Sequence, residues 1–243
     1  GKLKPNVKLP LVATNRINMP DVAEQILANG QADIISMARP LLADAQWPNK
    51  AKAGKTHLIN TCIACNQACL DHVFENKKAS CLVNPRACRE TELNYPPTTA
   101  KKRIAVVGAG PAGLSFATVA AGRGHEVTLF DAASEIGGQF NYAKRIPGKE
   151  EFHETLRYYG NLLTDTGVAV KLGHTVDAIQ LQQAGFDEIV IATGITPRSL
   201  RLPGSDHPKM LGYLDVLRDD APVGKSVAII GAGGIGFDVA EFL

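Results

Sequence analysis

All five cysteines of this 243-residue chain fall in one window, CIACNQACLDHVFENKKASCLVNPRAC, which runs from Cys62 to Cys88. Four of them follow the spacing Cys62-x2-Cys65-x3-Cys69-x11-Cys81. A set of thiols this dense has three chemistries open to it. It can form disulfides, but the total is odd and the nucleotide-binding pattern downstream belongs with reducing compartments. It can hold a structural zinc ion in a tetrahedron of sulfurs, although zinc ribbons usually present two separated pairs. It can hold a 4Fe–4S cluster, which takes one thiolate on each of four irons at the corners of a cube. Three closely spaced cysteines on a short loop supply three corners, and the fourth arrives from further along. Spacing alone leaves zinc and iron–sulfur both open. Cys88, seven residues past Cys81, reads as a plain core thiol.

A second kind of chemistry is written in glycine. The segment VVGAGPAG places Gly108, Gly110 and Gly113 directly after an apolar run and at the head of a helical one. The first glycine allows a tight turn, the second lets backbone approach a pyrophosphate, and the third permits close helix–strand packing. The helix start then offers N–H groups to the anion. Asp131 lies 18 residues beyond Gly113, where an acid can bind ribose hydroxyls. Two further glycine-marked turns, SEIGGQF and IVIATG, suit a dinucleotide longer than NAD, such as FAD. The pattern recurs as Gly231, Gly233 and Gly236 in IIGAGGIG, a candidate NAD(P) turn. The 243 residues end before the position at which an acidic or basic residue could read the ribose 2′ group, so these residues do not distinguish NAD from NADP. Nucleotide-type turns in the same chain favour iron–sulfur over zinc, because zinc cannot pass electrons.

These residues need elements to position them. Residues 9–39 read as strand, helix, strand: LPLVATN, then MPDVAEQILANG with Pro at the start and Gly30 at the end, then ADIISMARP as a buried strand. The cysteine segment, 57–90, has little periodicity, and ETELNYPPTTAKK is a polar linker. From Arg103 an α/β unit begins with strand, glycine turn, helix and strand. An amphipathic helix with Phe152, Leu156, Tyr159 and Leu163 on one side follows, then short strands near VAVKLG and FDEIVIATG. PVGKSVAIIGAGGIGFDVAEFL repeats strand, turn and helix. The net charge of +2 gives no electrostatic case for nucleic acid or an anionic membrane surface. No apolar run is long enough to span a bilayer and no signal peptide is visible. The expected location is the cytoplasm. A first residue of Gly and an end within a helix lead us to expect a piece of a longer protein.

Taken together, TNRIN, SMARPLLAD, CIACNQACLD, CLVNPRAC, GAGPAGL, EIGGQFN, IPGKEEF, IATGI and YLDVLR resemble the bacterial 2,4-dienoyl-CoA reductase family of flavin and iron–sulfur enzymes. The resemblance runs along nearly the whole chain, and the cysteine spacing with CLVNPRAC is its most specific part. It implies an α/β chain in four parts. Residues 1–56 would be the end of an FMN-binding TIM barrel, 57–100 the 4Fe–4S segment and linker, 101–222 an incomplete Rossmann-like FAD domain, and 223–243 the start of an NAD(P) domain. Arg16 and Ala38–Arg39 would hold the FMN phosphate, in the barrel loops that commonly do so. Ala112, Asp131, Gln139, Lys149 and Val176 would contact FAD. Without the resemblance, Lys149 reads as a solvated lysine and Val176 as a core valine.

The resemblance also implies a reaction: reduction of a 2,4-dienoyl-CoA in unsaturated fatty acid oxidation. Electrons would pass from NADPH to FAD, through the cluster to FMN, and on to the acyl-CoA. The family's catalytic acid and most of its pocket lie before these residues, so no catalytic residue is assigned here. An enoate reductase or an amine dehydrogenase would share this architecture. A non-enzymatic nucleotide-binding module with structural zinc is the reading of a different class.

Overall fold

The computed structural model describes residues 2–198 and 200–243. In chain order the elements are β1 (Val12–Ala13), α1 (Pro20–Ala28), β2 (Ile34–Ile35), α2 (Arg39–Ala43), α3 (Trp47–Lys52) and α4 (His72–Phe74). They continue with β3 (Arg103–Val107), α5 (Pro111–Gly122), β4 (Glu126–Phe130), α6 (Phe140–Ala143) and α7 (Glu151–Thr166). The last are β5 (Ala169–Lys171), α8 (Ala178–Gln183), β6 (Glu188–Ile191), α9 (Tyr213–Leu217) and α10 (Gly234–Phe242). Two units result: Gly1–Pro96 with Arg157–Asp165, and Pro97–Leu156 with Thr166–Leu243.

In the first unit β1 and β2 pair in parallel, Val12 opposite Ile34 and Ala13 opposite Ile35, joined by α1. Pro20 opens α1, where its missing N–H costs nothing, and Gly30 beyond its end takes φ +62°. This is the strand–helix–strand expected at 9–39, with a correction. The strands are two residues long and not buried: Val12 is 54% and Ile34 51% exposed, and on α1 only Ala23 is buried. A parallel strand is buried by neighbouring strands and covering helices, and among the described residues these two pair only with each other. The unit's core lies instead around Ile17, Ala43, Trp47, Leu58 and Ile59. The Trp47 indole N–H donates to the Asn18 carbonyl at 2.9 Å.

The second unit is built on a four-stranded parallel sheet in the order β5-β4-β3-β6. β3 and β4 are the central strands, and their Ile104, Ala105, Val106, Val127, Leu129 and Phe130 are all buried. α5 lays Leu114 and Ala117, both fully buried, over this sheet. A second cluster of Ile146, Val216, Leu217 and Val239 joins α9 and α10, with Tyr142, Tyr213 and Phe242 packed on it. The strand expected in SVAIIG does not form. Val227, Ile229 and Ile230 are exposed and in no strand, since a strand needs a ladder partner to satisfy its backbone.

Gly113 fixes how closely α5 can follow β3. A Cβ built there would stand 1.8 Å from the Gly108 carbonyl oxygen, which is backbone and cannot swing aside. We expect Gly113→Ala to cost about 1–3 kcal/mol, read as a lower denaturant midpoint with an unchanged slope; an unaltered midpoint would contradict this packing.

Candidate functional site

The cysteine segment begins after the turn at Thr56–Leu58 and is held mostly by side chains. Asp44, at the end of α2, is buried. Its Oδ2 accepts from Lys50 Nζ at 2.6 Å and from the Asn60 backbone N–H at 2.9 Å, and Lys50 also donates to the Leu58 carbonyl at 2.8 Å. Arg157 donates to the carbonyls of His57 and Ile59 and to Thr61 Oγ1. Asn60 Nδ2 donates to the Val83 carbonyl at 2.7 Å, Asn84 Nδ2 to the Leu42 carbonyl at 2.8 Å, and Asn18 Nδ2 to the Cys62 carbonyl at 3.2 Å. A π-helical turn at Gln67–Asp71 presents Cys69. Ser80 N–H donates to the Ala68 carbonyl at 2.7 Å, drawing the strand of chain that carries Cys81 back onto this turn.

The result is one recess lined by Cys62, Cys65, Cys69 and Cys81, walled by Leu42, Ile63, Ala68 and Leu82, with Arg39 and Asn66 at its polar side. All five cysteines are free thiols, so no disulfide competes. Burial pushes the Cys81 thiol up, against hydrogen bonds from the Val83 and Asn84 backbone N–H groups, and the charges of Cys62 and Cys65 push the same way as burial. The Ala64 N–H donates to Cys62 Sγ at 3.4 Å. Among the described residues no three His, Cys, Asp or Glu side chains converge as ligands of a single metal ion. Four cysteines spread around a shared apolar recess, with backbone N–H groups aimed at sulfur, fit a group with four corners. N–H···S bonds and limited solvent access are the features that tune iron–sulfur potentials. Cys88 is absent from this lining. It is half-exposed, at φ +60°, and is not the core thiol expected.

Of the residues given to the FMN phosphate, Arg16 sits at φ +54° in an exposed turn and Ala38 is exposed just before α2. The Arg39 guanidinium reaches Asn66 Oδ1 at 2.6 Å and Asn15 Oδ1 at 3.2 Å.

In the second unit three glycine-marked turns converge. Gly108 takes φ +109°, and a Cβ there would strike the Ala192 carbonyl oxygen at 2.2 Å, so the IATG segment lies directly against the first turn. Gly137 N–H donates to the Ala109 carbonyl at 2.8 Å, and a Cβ on Gly138 would stand 3.1 Å from Gly110 Cα. Nothing lies within 4 Å of a Cβ placed on Gly110 itself. That opening faces the start of α5, which no side chain caps, and so fits a pyrophosphate held by backbone N–H groups. Asp131 accepts from Ala109 N–H at 2.6 Å and from Ala133 N–H at 2.8 Å, placing its carboxylate at the turn. Ala112 is exposed at the head of α5. Gln139 Oε1 accepts from the Tyr213 hydroxyl at 3.4 Å. Val176 packs against the buried cluster of Ala105, Phe130 and Leu181. Lys149 Nζ is 2.6 Å from Asp238 Oδ1 on α10. At the second pattern Gly231 takes φ +119°, a Cβ on Gly236 would meet the Gly231 oxygen at 2.3 Å, and Gly233 again opens on nothing.

The sequence model for pyridine nucleotide-disulphide oxidoreductases matches residues 102–243, more than half of the chain. The chain belongs to the pyridine nucleotide-disulphide oxidoreductase family. Residues 1–57 match the NADH:flavin oxidoreductase / NADH oxidase family. A metal reductase of Desulforamulus reducens is 43% identical over 99% of this chain and 37% of its own length. An NADH oxidase of Thermoanaerobacter brockii is 36% identical over 100% of this chain and 38% of its own. The structure of a 2-naphthoyl-CoA reductase in complex with 2-naphthoyl-CoA superposes with a TM-score of 0.94 at 36% identity, over 98% of this chain and 36% of that one. The chain thus spans a little over a third of the length of the relatives it matches. Its residues carry the flavin- and nicotinamide-nucleotide-binding folds of these two oxidoreductase families. The comparisons reach this broader family and not dienoyl-CoA reductases in particular. Among the described residues no helix is long and apolar enough to cross a membrane.

Sequence reasoning located the cysteines and glycines of this chain but missed Asp44, Asn60, Asn84 and Arg157, which hold the cysteine segment in place. Their signal is weak, since a lone Asp or Asn in an aperiodic stretch reads as a loop residue. For the glycine site the expectation is sharp. Gly110→Ala should leave folding stability within about 1 kcal/mol, because Gly110 has an ordinary negative φ and open space. It should weaken FAD retention about tenfold or more, measured as flavin per folded holoprotein; full FAD retention would show that the opening is not a pyrophosphate site.

Proposed function

We propose that this chain is the electron-relay portion of an NADPH-dependent 2,4-dienoyl-CoA reductase. The observation that carries the reading is the single recess lined by Cys62, Cys65, Cys69 and Cys81, in a chain whose earlier residues match a flavin oxidoreductase family and whose later residues match a pyridine nucleotide one. The acyl-CoA part is supported by the 2-naphthoyl-CoA reductase that the chain resembles so closely in structure, and by the motifs shared with dienoyl-CoA reductases.

When bound, FAD, the 4Fe–4S cluster and FMN would convert two-electron hydride chemistry from NADPH into one-electron transfer and back again at a conjugated acyl-CoA. The chain's own residues bind and orient. Gly108, Gly110, Ala112 and Gly113 shape the turn that receives the FAD pyrophosphate, and Asp131 holds that turn from β4 while offering carboxylate oxygens to a ribose. Gly231, Gly233 and Gly236 repeat the device for the nicotinamide nucleotide. Cys62, Cys65, Cys69 and Cys81 hold the cluster in an apolar recess that limits water. Arg16 and Ala38–Arg39 belong to the phosphate end of FMN. The catalytic acid and acyl pocket are assigned to residues outside this chain.

The holoprotein should oxidise NADPH anaerobically in proportion to added 2,4-dienoyl-CoA. Its kcat/KM for that substrate should be about a hundredfold above that for an unsaturated carboxylate without CoA, and no electrons should be taken from a tertiary amine. Preference for the free carboxylate would make the protein an enoate reductase, and turnover of the amine would make it a dehydrogenase; either result overturns the dienoyl-CoA reading.

A further inference from the structure

Cys62, Cys65 and Cys69 lie on one short run of chain, and the Gln67–Asp71 turn presents the last of them. Cys81 arrives on a separate arm, after an excursion that leaves Val73 and Phe74 exposed. Two asparagine side chains grip that arm. Asn60 Nδ2 donates to the Val83 carbonyl at 2.7 Å, and Asn84 Nδ2 donates to the Leu42 carbonyl at 2.8 Å. Val83 and Asn84 are also the residues whose backbone N–H groups reach the Cys81 sulfur, and Cys81 faces Asn84 in an isolated antiparallel bridge. Each amide therefore fixes a residue that itself donates to Cys81 Sγ. Asn60 is buried, and its Oδ1 has no hydrogen-bond partner among the described residues. A buried acceptor left unpaired costs stability, so what the Asn60 amide contributes is its donor.

We propose that Cys81 is the corner from which the iron–sulfur group first loses iron on oxidation, and that Asn60 and Asn84 are positioning residues that set the rate of that loss by clamping the Cys81 arm. The inference rests on the iron–sulfur reading above. A sulfur on the Cys62–Cys69 run that lets go of its iron stays tethered beside it by its neighbours, so its effective concentration for rebinding is high. The Cys81 sulfur has a longer tether, and only the clamped Val83 and Asn84 keep it at the recess. The loss balances as follows. Ferricyanide takes one electron from the 4Fe–4S core and becomes ferrocyanide. One iron departs as Fe(II), its bond to Cys81 Sγ breaks with the electron pair left on sulfur, and a 3Fe–4S core remains on the other three thiolates.

The test treats anaerobically prepared holoprotein with ferricyanide and compares the parent with Asn60→Leu and Asn84→Ala. Two readouts are followed: growth of the 3Fe–4S EPR signal, which needs no reduction, and the cysteine first alkylated by a pulse of iodoacetamide, located by peptide mass spectrometry. Both variants should convert about fivefold faster than the parent, the effect of losing one neutral hydrogen bond. Apart from Cys88, which is outside the recess, the first alkylated residue should be Cys81 in all three proteins. Conversion of both variants at the parent's rate overturns the proposal. So does label that appears first at Cys62, Cys65 or Cys69, or at all four together, which is what general loosening of the segment would give. If one variant assembles no cluster the other decides by the same readings, and if neither does, the order of labelling in the parent decides. A parent protein that contains zinc or no metal at these thiols removes the iron–sulfur reading itself, an outcome distinct from either.

Discussion

Four thiols must be delivered to one recess by a stretch of chain that has almost no regular structure, and most of the first unit is arranged around that requirement. A helix or sheet satisfies its own backbone; an aperiodic segment passing through the interior does not, and each unmet N–H or carbonyl there costs about 1–3 kcal/mol. Residues 57–84 meet the requirement with side chains. Asp44 is the hub, since its buried carboxylate takes Lys50 and the Asn60 N–H together. Asn18, Asn60, Asn84 and Arg157 cover carbonyls that no ladder reaches. Amide side chains suit the task because each carries donors and an acceptor without a charge to desolvate. The lysine and arginine bring charge-assisted bonds, which are stronger and shorter than neutral ones.

The second unit answers a different constraint, namely that backbone must come close enough to a dinucleotide for N–H groups to do the binding. Missing Cβ atoms accomplish this twice. In each turn the first glycine is left-handed and the third sits against the first one's carbonyl, while the middle glycine opens on empty space. The first turn is better supported. Gly137 and Ala192 lock onto it from two other segments, and Asp131 reaches it from β4. The second has none of these supports among the described residues, and the apolar run before it, Val227 to Ile230, lies exposed and unpaired.

What was legible in the sequence followed the strength of local signals. The glycine turns at Gly108 and Gly231 were readable because glycine at fixed spacing has a geometric cause. The cysteine set was readable because sulfur is rare elsewhere in the chain. The strands β1 and β2 were readable in kind and not in extent, because length and burial depend on neighbours that an isolated run does not show. SVAIIG failed as a strand for the same reason. Arg39 and Lys149 show the limit of reading side chains one at a time. Nothing in the sequence around them shows that Arg39 reaches Asn15 and Asn66 or that Lys149 pairs with Asp238. Asp44 was invisible as a hub, because nothing in LLADAQWPNK distinguishes a buried carboxylate from a solvated one.

The account stands on what the four sulfurs hold, and metal analysis of anaerobically purified holoprotein, joined to the EPR spectrum after reduction, tests that directly. Iron and acid-labile sulfide in equal amounts, with a reduced-cluster signal that disappears on reoxidation, is the predicted result. Stoichiometric zinc at the thiols, or an EPR-silent protein free of iron, would contradict it.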